Sequence, residues 1–127
     1  MNQALSIAVF GLMGIFLRWF IDMSVSRWID SFPLGILAIN ILGSFFAGLV
    51  YVLGTQRGAL SPVIATGLLV GFCGGFTTFS AYALQAFLLL EKADYLRGIS
   101  YLTLSPIAAV IGVGLGKKVA VFFPSLF

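Results

Sequence analysis

Polar side chains are scarce in this sequence, and those within its long apolar stretches are neutral hydrogen-bonding groups plus one arginine. They are Arg18, Asn40, Ser44, Thr66, Thr77, Thr78, Ser80, Tyr82, Gln85, Tyr101, Thr103 and Ser105. There is no histidine, which removes the commonest general base and metal ligand together. The single cysteine, Cys73, can form no internal disulfide and no metal site alone. No aspartate or glutamate is expected deep in any apolar stretch, whereas proton-coupled transporters and cation channels rely on a carboxylate at membrane depth. Hydroxyls, amides and a guanidinium offer protons instead, which suits an anion. With no nucleophile–base pair and no metal constellation, an enzyme is not expected.

Several of these residues have two readings. Asn40 is either interhelical glue, worth about 1 kcal/mol, or a pore-lining amide. Arg18 either snorkels to the interface as an anchor or flanks an aqueous vestibule where it concentrates anions. Phe72, Phe76, Phe79 and Tyr82 follow helical spacing. They serve as packing and lipid contact, or present electropositive ring edges to an anion stripped of water. Tyr101 and Ser105, one turn apart, would supply further hydroxyls.

The elements that position these groups follow from composition. The chain has 127 residues, 61% hydrophobic and 9% charged, with a mean hydropathy of +1.13. A soluble domain carries roughly a quarter charged residues, so this chain could not cover a surface facing water and lipid must be its solvent. The net charge of +3 arises from scattered basic residues at the ends of apolar runs, with no basic stripe for nucleic acid. The first run lacks a basic leader and a cleavage pattern and continues to Arg18, so it reads as a retained membrane helix.

Charges and turn residues divide the chain into one four-helix transmembrane domain, 1–127. The helices are expected at about 3–24, 32–55, 60–90 and 96–122, with a charged loop holding Asp22, Arg27 and Asp30 after the first. Pro33 suits a helix start. The third run, 58–90, holds thirty-three uncharged residues. As a straight helix it would span about 50 Å against a core of roughly 30 Å. Gly74, Gly75, Thr77 and Thr78 sit within it, so a break is expected near 74–78. Non-helical backbone at membrane depth survives only inside protein or along a wet cavity. In the second run Gly43, Ser44, Ala47 and Gly48 repeat small residues at four-residue spacing, as do Gly112 and Gly116 in the fourth. Both read as close-packing helix faces.

Four crossings place Arg57, Lys117 and Lys118 on one side and Arg27, Lys92 and Arg97 on the other. That near-tie gives almost no positive-inside bias, so the chain is expected to insert both ways up and form an antiparallel dual-topology homodimer. Four thin helices enclose no lumen alone, and closed two-fold dimers are the commonest homo-oligomers. Carbonyls freed at two breaks meeting on the dimer axis would together clasp a monovalent cation such as sodium.

The segment Gly74-Gly75-Phe76-Thr77-Thr78-Phe79-Ser80-Ala81-Tyr82 resembles the GGxTTFSTF signature of the Fluc (CrcB) fluoride channels. Gly14-Ile15-Phe16-Leu17-Arg18, Asn40-Ile41-Leu42-Gly43-Ser44-Phe45 and Tyr101-Leu102-Thr103-Leu104-Ser105 resemble three further motifs of that family, in order, over nearly the whole chain. The resemblance implies an antiparallel homodimer in the inner (plasma) membrane, with two pores passing fluoride to lower its cytoplasmic level. It implies that Phe79 and Tyr82 occupy the two aromatic box positions, Asn40 the pore asparagine, and Tyr101 and Ser105 the polar track. Thr78 and Ser80 fall within the signature beside the pore, and Arg18 at the arginine near its entrance. The carbonyls of Gly74 and Thr77 fall where a structural sodium is held between subunits. Two residues depart from the pattern: Tyr82 stands where phenylalanine is usual, and Gln85 where many members carry glutamate. Weighed beside this channel are a small dual-topology multidrug or cation exporter, which needs an embedded carboxylate, and a non-conducting scaffold subunit.

Overall fold

The computed structural model describes residues 2–27 and 32–122, and all regular structure among them is helical. Four helical segments are long and apolar enough to cross a membrane: Gln3–Ser26, Leu34–Gln56, Pro62–Glu91 and Tyr95–Phe122. The first starts where the Asn2 side chain accepts the Leu5 amide at 2.8 Å, an N-cap that satisfies an otherwise orphaned donor. It runs on to Ser26, just past the expected end near 24, so Asp22, grouped with the loop charges although inside those bounds, lies in the helix. No glycine or proline lies between Arg18 and Ser26 to stop it. Arg27 caps the helix, and Asp30 lies outside the described residues.

Ser61 caps the third segment, accepting from the Ile64 amide with Pro62 at the first helical position, the place where proline's missing N–H costs nothing. The coil then widens to π-type winding over Gly67–Cys73 and tightens again at Gly74–Phe76. Thr77 (φ −76°, ψ 160°) and Thr78 (φ −152°, ψ 116°) are extended, and helix resumes at Phe79. The resumed helix ends in a left-handed Ala93 (φ 58°), with the Asp94 amide bonded to the Leu89 carbonyl, as in a Schellman cap.

Glycines decide the packing. A Cβ on Gly48 would strike the Val113 carbonyl oxygen, and one on Gly116 the Phe45 carbonyl oxygen, so the second and fourth segments meet backbone to backbone. Of the small residues expected to pack, Gly48, Gly112 and Gly116 make these contacts, whereas Gly43 faces Thr77 and Phe76 of the third segment. A second seam joins the first and third segments, where Gly14 faces the Phe72 carbonyl and Gly71 the Ile7 carbonyl. At one end, Arg57 donates to the Val121 carbonyl at 3.0 Å and the Lys117 ammonium lies 5.5 Å from the Tyr51 ring centroid, bringing the second turn and the C-terminal helix together.

The buried core, Ile36, Ile39, Phe76, Tyr82, Ala86 and Tyr101, sits where the second, third and fourth segments converge. The outer faces are apolar: Phe16 is 65% exposed and Leu96 81%. Such surface is stable against lipid and not against water.

Candidate functional site

The extended pair Thr77–Thr78 breaks the pattern of backbone hydrogen bonds, and side chains from other segments replace it. The Asn40 amide does most of this. Its Oδ1 accepts the Thr78 N–H at 2.9 Å, and its Nδ2 donates to the Thr78 carbonyl at 3.2 Å. One asparagine thus pairs with both backbone groups of Thr78, which belong to the two successive peptide groups on either side of its Cα. The amide has a second N–H left over. Thr78 then caps the resumed helix, its Oγ1 accepting the Ala81 amide at 3.3 Å and lying 3.4 Å from the Ser80 hydroxyl.

The same exchange bears on the two carbonyls expected to hold sodium. In a continuous helix the Thr78 N–H would bond to the Gly74 carbonyl, but it is given to Asn40. The Gly74 oxygen therefore loses its helical donor. The Thr77 oxygen accepts from the Arg18 guanidinium at 3.3 Å, which leaves one of its two lone pairs. Both are hard oxygen donors of the type a sodium ion takes, so the residues fit the ion, with Arg18 as a competing cation at Thr77.

Two cavities flank the interruption. The smaller, about 270 Å³, is lined by Asn40, Ser44, Thr77, Thr78, Phe79, Tyr82, Ser105, Pro106 and Ala109, and carries no charged residue. Ser105 is buried. The larger, about 620 Å³, is lined by Ile15, Phe16, Arg18, Trp19, Asp22, Ile36, Thr78, Ser80 and Ala81. Thr78 is common to both. The expected site residues therefore fall in two groups: Asn40, Phe79, Tyr82 and Ser105 in the uncharged cavity, Arg18 and Ser80 in the charged one. Asp22 shares the larger cavity with Arg18, a carboxylate near the site that a loop placement had not anticipated.

The aromatic run divides at the same point. Phe72 and Phe76 stack at 5.7 Å with planes 10° apart, and Phe76 is buried in the core. Phe79, 80% exposed, and Tyr82 lie 5.5 Å apart on the cavity. Tyr101 lines neither cavity. It is fully enclosed, packs edge-on against Phe32, sits 5.3 Å from the Tyr82 ring, and donates its hydroxyl to Gln85 Oε1 at 3.3 Å. Of the remaining polar groups, Thr66 takes a hydrogen bond from Gln3 and Thr103 bonds back to the Ile99 carbonyl of its own helix. Both lie outside the site.

Pro106 escaped the reading of the sequence. It lies inside the fourth helix and lines the uncharged cavity. A proline at this position removes the N–H that would reach the Leu102 carbonyl. The Tyr82 hydroxyl donates to that carbonyl at 2.7 Å. A proline inside an apolar run marks an orphaned carbonyl four residues earlier, but nothing in the sequence says which side chain meets it.

Comparison with known proteins places this arrangement. Residues 5–117 match the family model described as CrcB-like protein, Camphor Resistance (CrcB). A protein of Citrifermentans bemidjiense named fluoride-specific ion channel FluC is 34% identical over 121 residues, covering 94% of this chain and 98% of its own. Proteins of the same name from Ruegeria sp. (38% over 120 residues, 91% and 92% covered) and Rhizobium etli (39% over 121, 94% and 93%) are also similar. The match runs through all four segments and both sides of the Thr77–Thr78 interruption, and the chain belongs to the CrcB-like family.

Proposed function

We propose that this protein is a fluoride-selective channel that lets fluoride leave the cytoplasm passively through the inner (plasma) membrane. The observation that carries this reading is the uncharged cavity at the interrupted helix. There the Asn40 amide and the Ser105 hydroxyl offer protons beside the Phe79 and Tyr82 rings. A small anion losing its water needs donors in a low-dielectric site. Ring edges add positive potential without formal charge, and no carboxylate lines this cavity to repel an anion or favour a cation. Arg18 stands in the adjoining cavity as a hydrogen-bond donor at the approach, its charge offset there by Asp22. The relatives bearing the name fluoride-specific ion channel support fluoride as the anion.

The third segment crosses the membrane in this reading with its interruption at membrane depth, where the Asn40 clamp makes non-helical backbone tolerable. The functional unit is an antiparallel dual-topology homodimer with two pores. The nearly balanced basic residues on the two sides support it, as does Phe79, too exposed on one chain to be enclosed without a partner. Gly74 and Thr77 of each copy would hold a structural sodium through their carbonyls. A multidrug or cation exporter is disfavoured, because no carboxylate lines the uncharged cavity and Asp22, in the adjoining one, shares it with the cation Arg18.

Purified protein in liposomes, read with a fluoride electrode, should release fluoride far faster than chloride. Equal or absent flux removes the reading. Replacing sodium by N-methylglucamine should lower the thermal midpoint of the detergent-solubilised dimer, and an unchanged midpoint removes the sodium.

A further inference from the structure

We propose that Tyr82 and Pro106 form a matched pair: the phenol hydroxyl occupies the Leu102 carbonyl that Pro106 leaves without a donor, and so fixes the ring in the cavity. The hydroxyl is then a tether to backbone and not a ligand for the permeating ion. This inference rests on the cavity being the fluoride path.

Three observations carry it. Pro106 is four residues beyond Leu102 in one continuous helix, Tyr95–Phe122, so the carbonyl it strips of a donor is that of Leu102. The donor that reaches this oxygen comes from another segment, at 2.7 Å, a short and well-formed O–H···O bond. Both partners line one cavity, so the proline creates the vacancy beside the place where the tyrosine fills it.

The consequence for the ion follows from counting protons. A phenol has one O–H. Committed to Leu102, it turns only lone pairs outward, and lone pairs repel an anion. What Tyr82 can show to fluoride is its ring, whose tilt is set at two points, the Leu102 tether and the contact with Tyr101. Tyr82 is therefore a positioning residue through its hydroxyl. A phenylalanine at this position would keep the ring and leave the Leu102 carbonyl unmatched. The tyrosine and the proline are expected to be exchangeable only together.

The test is a double-mutant cycle in the full-length protein with Tyr82→Phe, Pro106→Ala and both together. Thermal unfolding in detergent and fluoride efflux from liposomes are the two readouts. Tyr82→Phe alone should lower the midpoint by about 4 °C and change flux about fivefold. In the Pro106→Ala background, where residue 106 regains its N–H, the same substitution should shift the midpoint by less than about 1 °C and flux by less than about twofold. Equal losses in both backgrounds would overturn the tether and make the hydroxyl an ion ligand; no loss in either would overturn it too. Pro106→Ser restores the same N–H should Pro106→Ala not purify. Failure of the channel reading is separable: the unsubstituted protein would show no fluoride flux, while the midpoints would still report the pairing.

Discussion

Two helices in this protein are interrupted beside the same cavity, and they are interrupted differently. At Thr77–Thr78 the backbone leaves helical geometry for two residues and a new helix begins with its own cap. At Pro106 the helix runs through, from Tyr95 to Phe122. The first interruption takes the Thr78 N–H away from the Gly74 carbonyl, and Asn40 accepts that N–H while donating to the Thr78 carbonyl. The second strands a single carbonyl, and the one proton of the Tyr82 hydroxyl matches it. An interruption is tolerated when nearby side chains supply partners for the backbone groups it displaces. Each repair also places an amide or aromatic side chain on the cavity wall. Backbone repair and site construction are therefore one event here.

The largest effect should come from removing the two-point repair. Asn40→Ala leaves the Thr78 N–H without its acceptor and removes a donor from the Thr78 carbonyl, and is expected to cost about 2–3 kcal/mol in detergent unfolding and at least about a hundredfold in fluoride flux. Asn40→Asp keeps the acceptor but loses the donor and adds a negative charge, so its flux should fall as far. A smaller stability loss than in Asn40→Ala would show that the Thr78 N–H is the more demanding half. Gly116→Ala probes both interruptions together, because a Cβ there meets the Phe45 carbonyl and wedges the Asn40 helix from the Pro106 helix. Overpacking of this kind costs about 1–3 kcal/mol, measured as a lowered thermal midpoint with flux lowered in parallel.

Phe79→Ile separates wall from repair. Phe79 makes no backbone repair and is largely exposed on the chain, so the midpoint should hardly move while flux falls about tenfold through loss of the ring edge. Unchanged flux would remove the aromatic edge from the ion path. The smallest effect lies outside both interruptions. Ala93 occupies the left-handed region at φ 58°, where a Cβ costs roughly 1 kcal/mol. Ala93→Gly should raise the midpoint accordingly and leave fluoride flux unchanged in the liposome assay.

Much of this was legible in the chain. Four apolar runs separated by charges set four long helical segments, because a chain with so few charges has only lipid to face and must close its hydrogen bonds internally. Gly48, Gly112 and Gly116 marked where the second and fourth helices touch, since only a missing Cβ admits a carbonyl at that distance, while Gly43 marked a contact with the third. The Gly-Gly-Phe-Thr-Thr stretch marked the place where helix would be hard to continue, though the extended residues are the threonines alone. Asp22 fell inside the expected helix bounds but was grouped with the loop charges, because a charge reads as a boundary. A helix with a polar cavity beside it can carry a carboxylate without ending.

What the sequence alone determined is the set of polar groups, their neutrality, and the order of motifs along the chain, since composition and spacing are local properties. Which of those groups meet was decided only by tertiary structure. The Asn40–Thr78 pairing spans thirty-eight residues and the Tyr82–Leu102 pairing twenty. No periodicity encodes either, because each depends on the angle at which two helices cross. The same crossing drew Tyr101 away from the cavity into the core and gave its proton to Gln85. It also turned Tyr82, an oddity in the motif, into the donor that the proline of another helix requires.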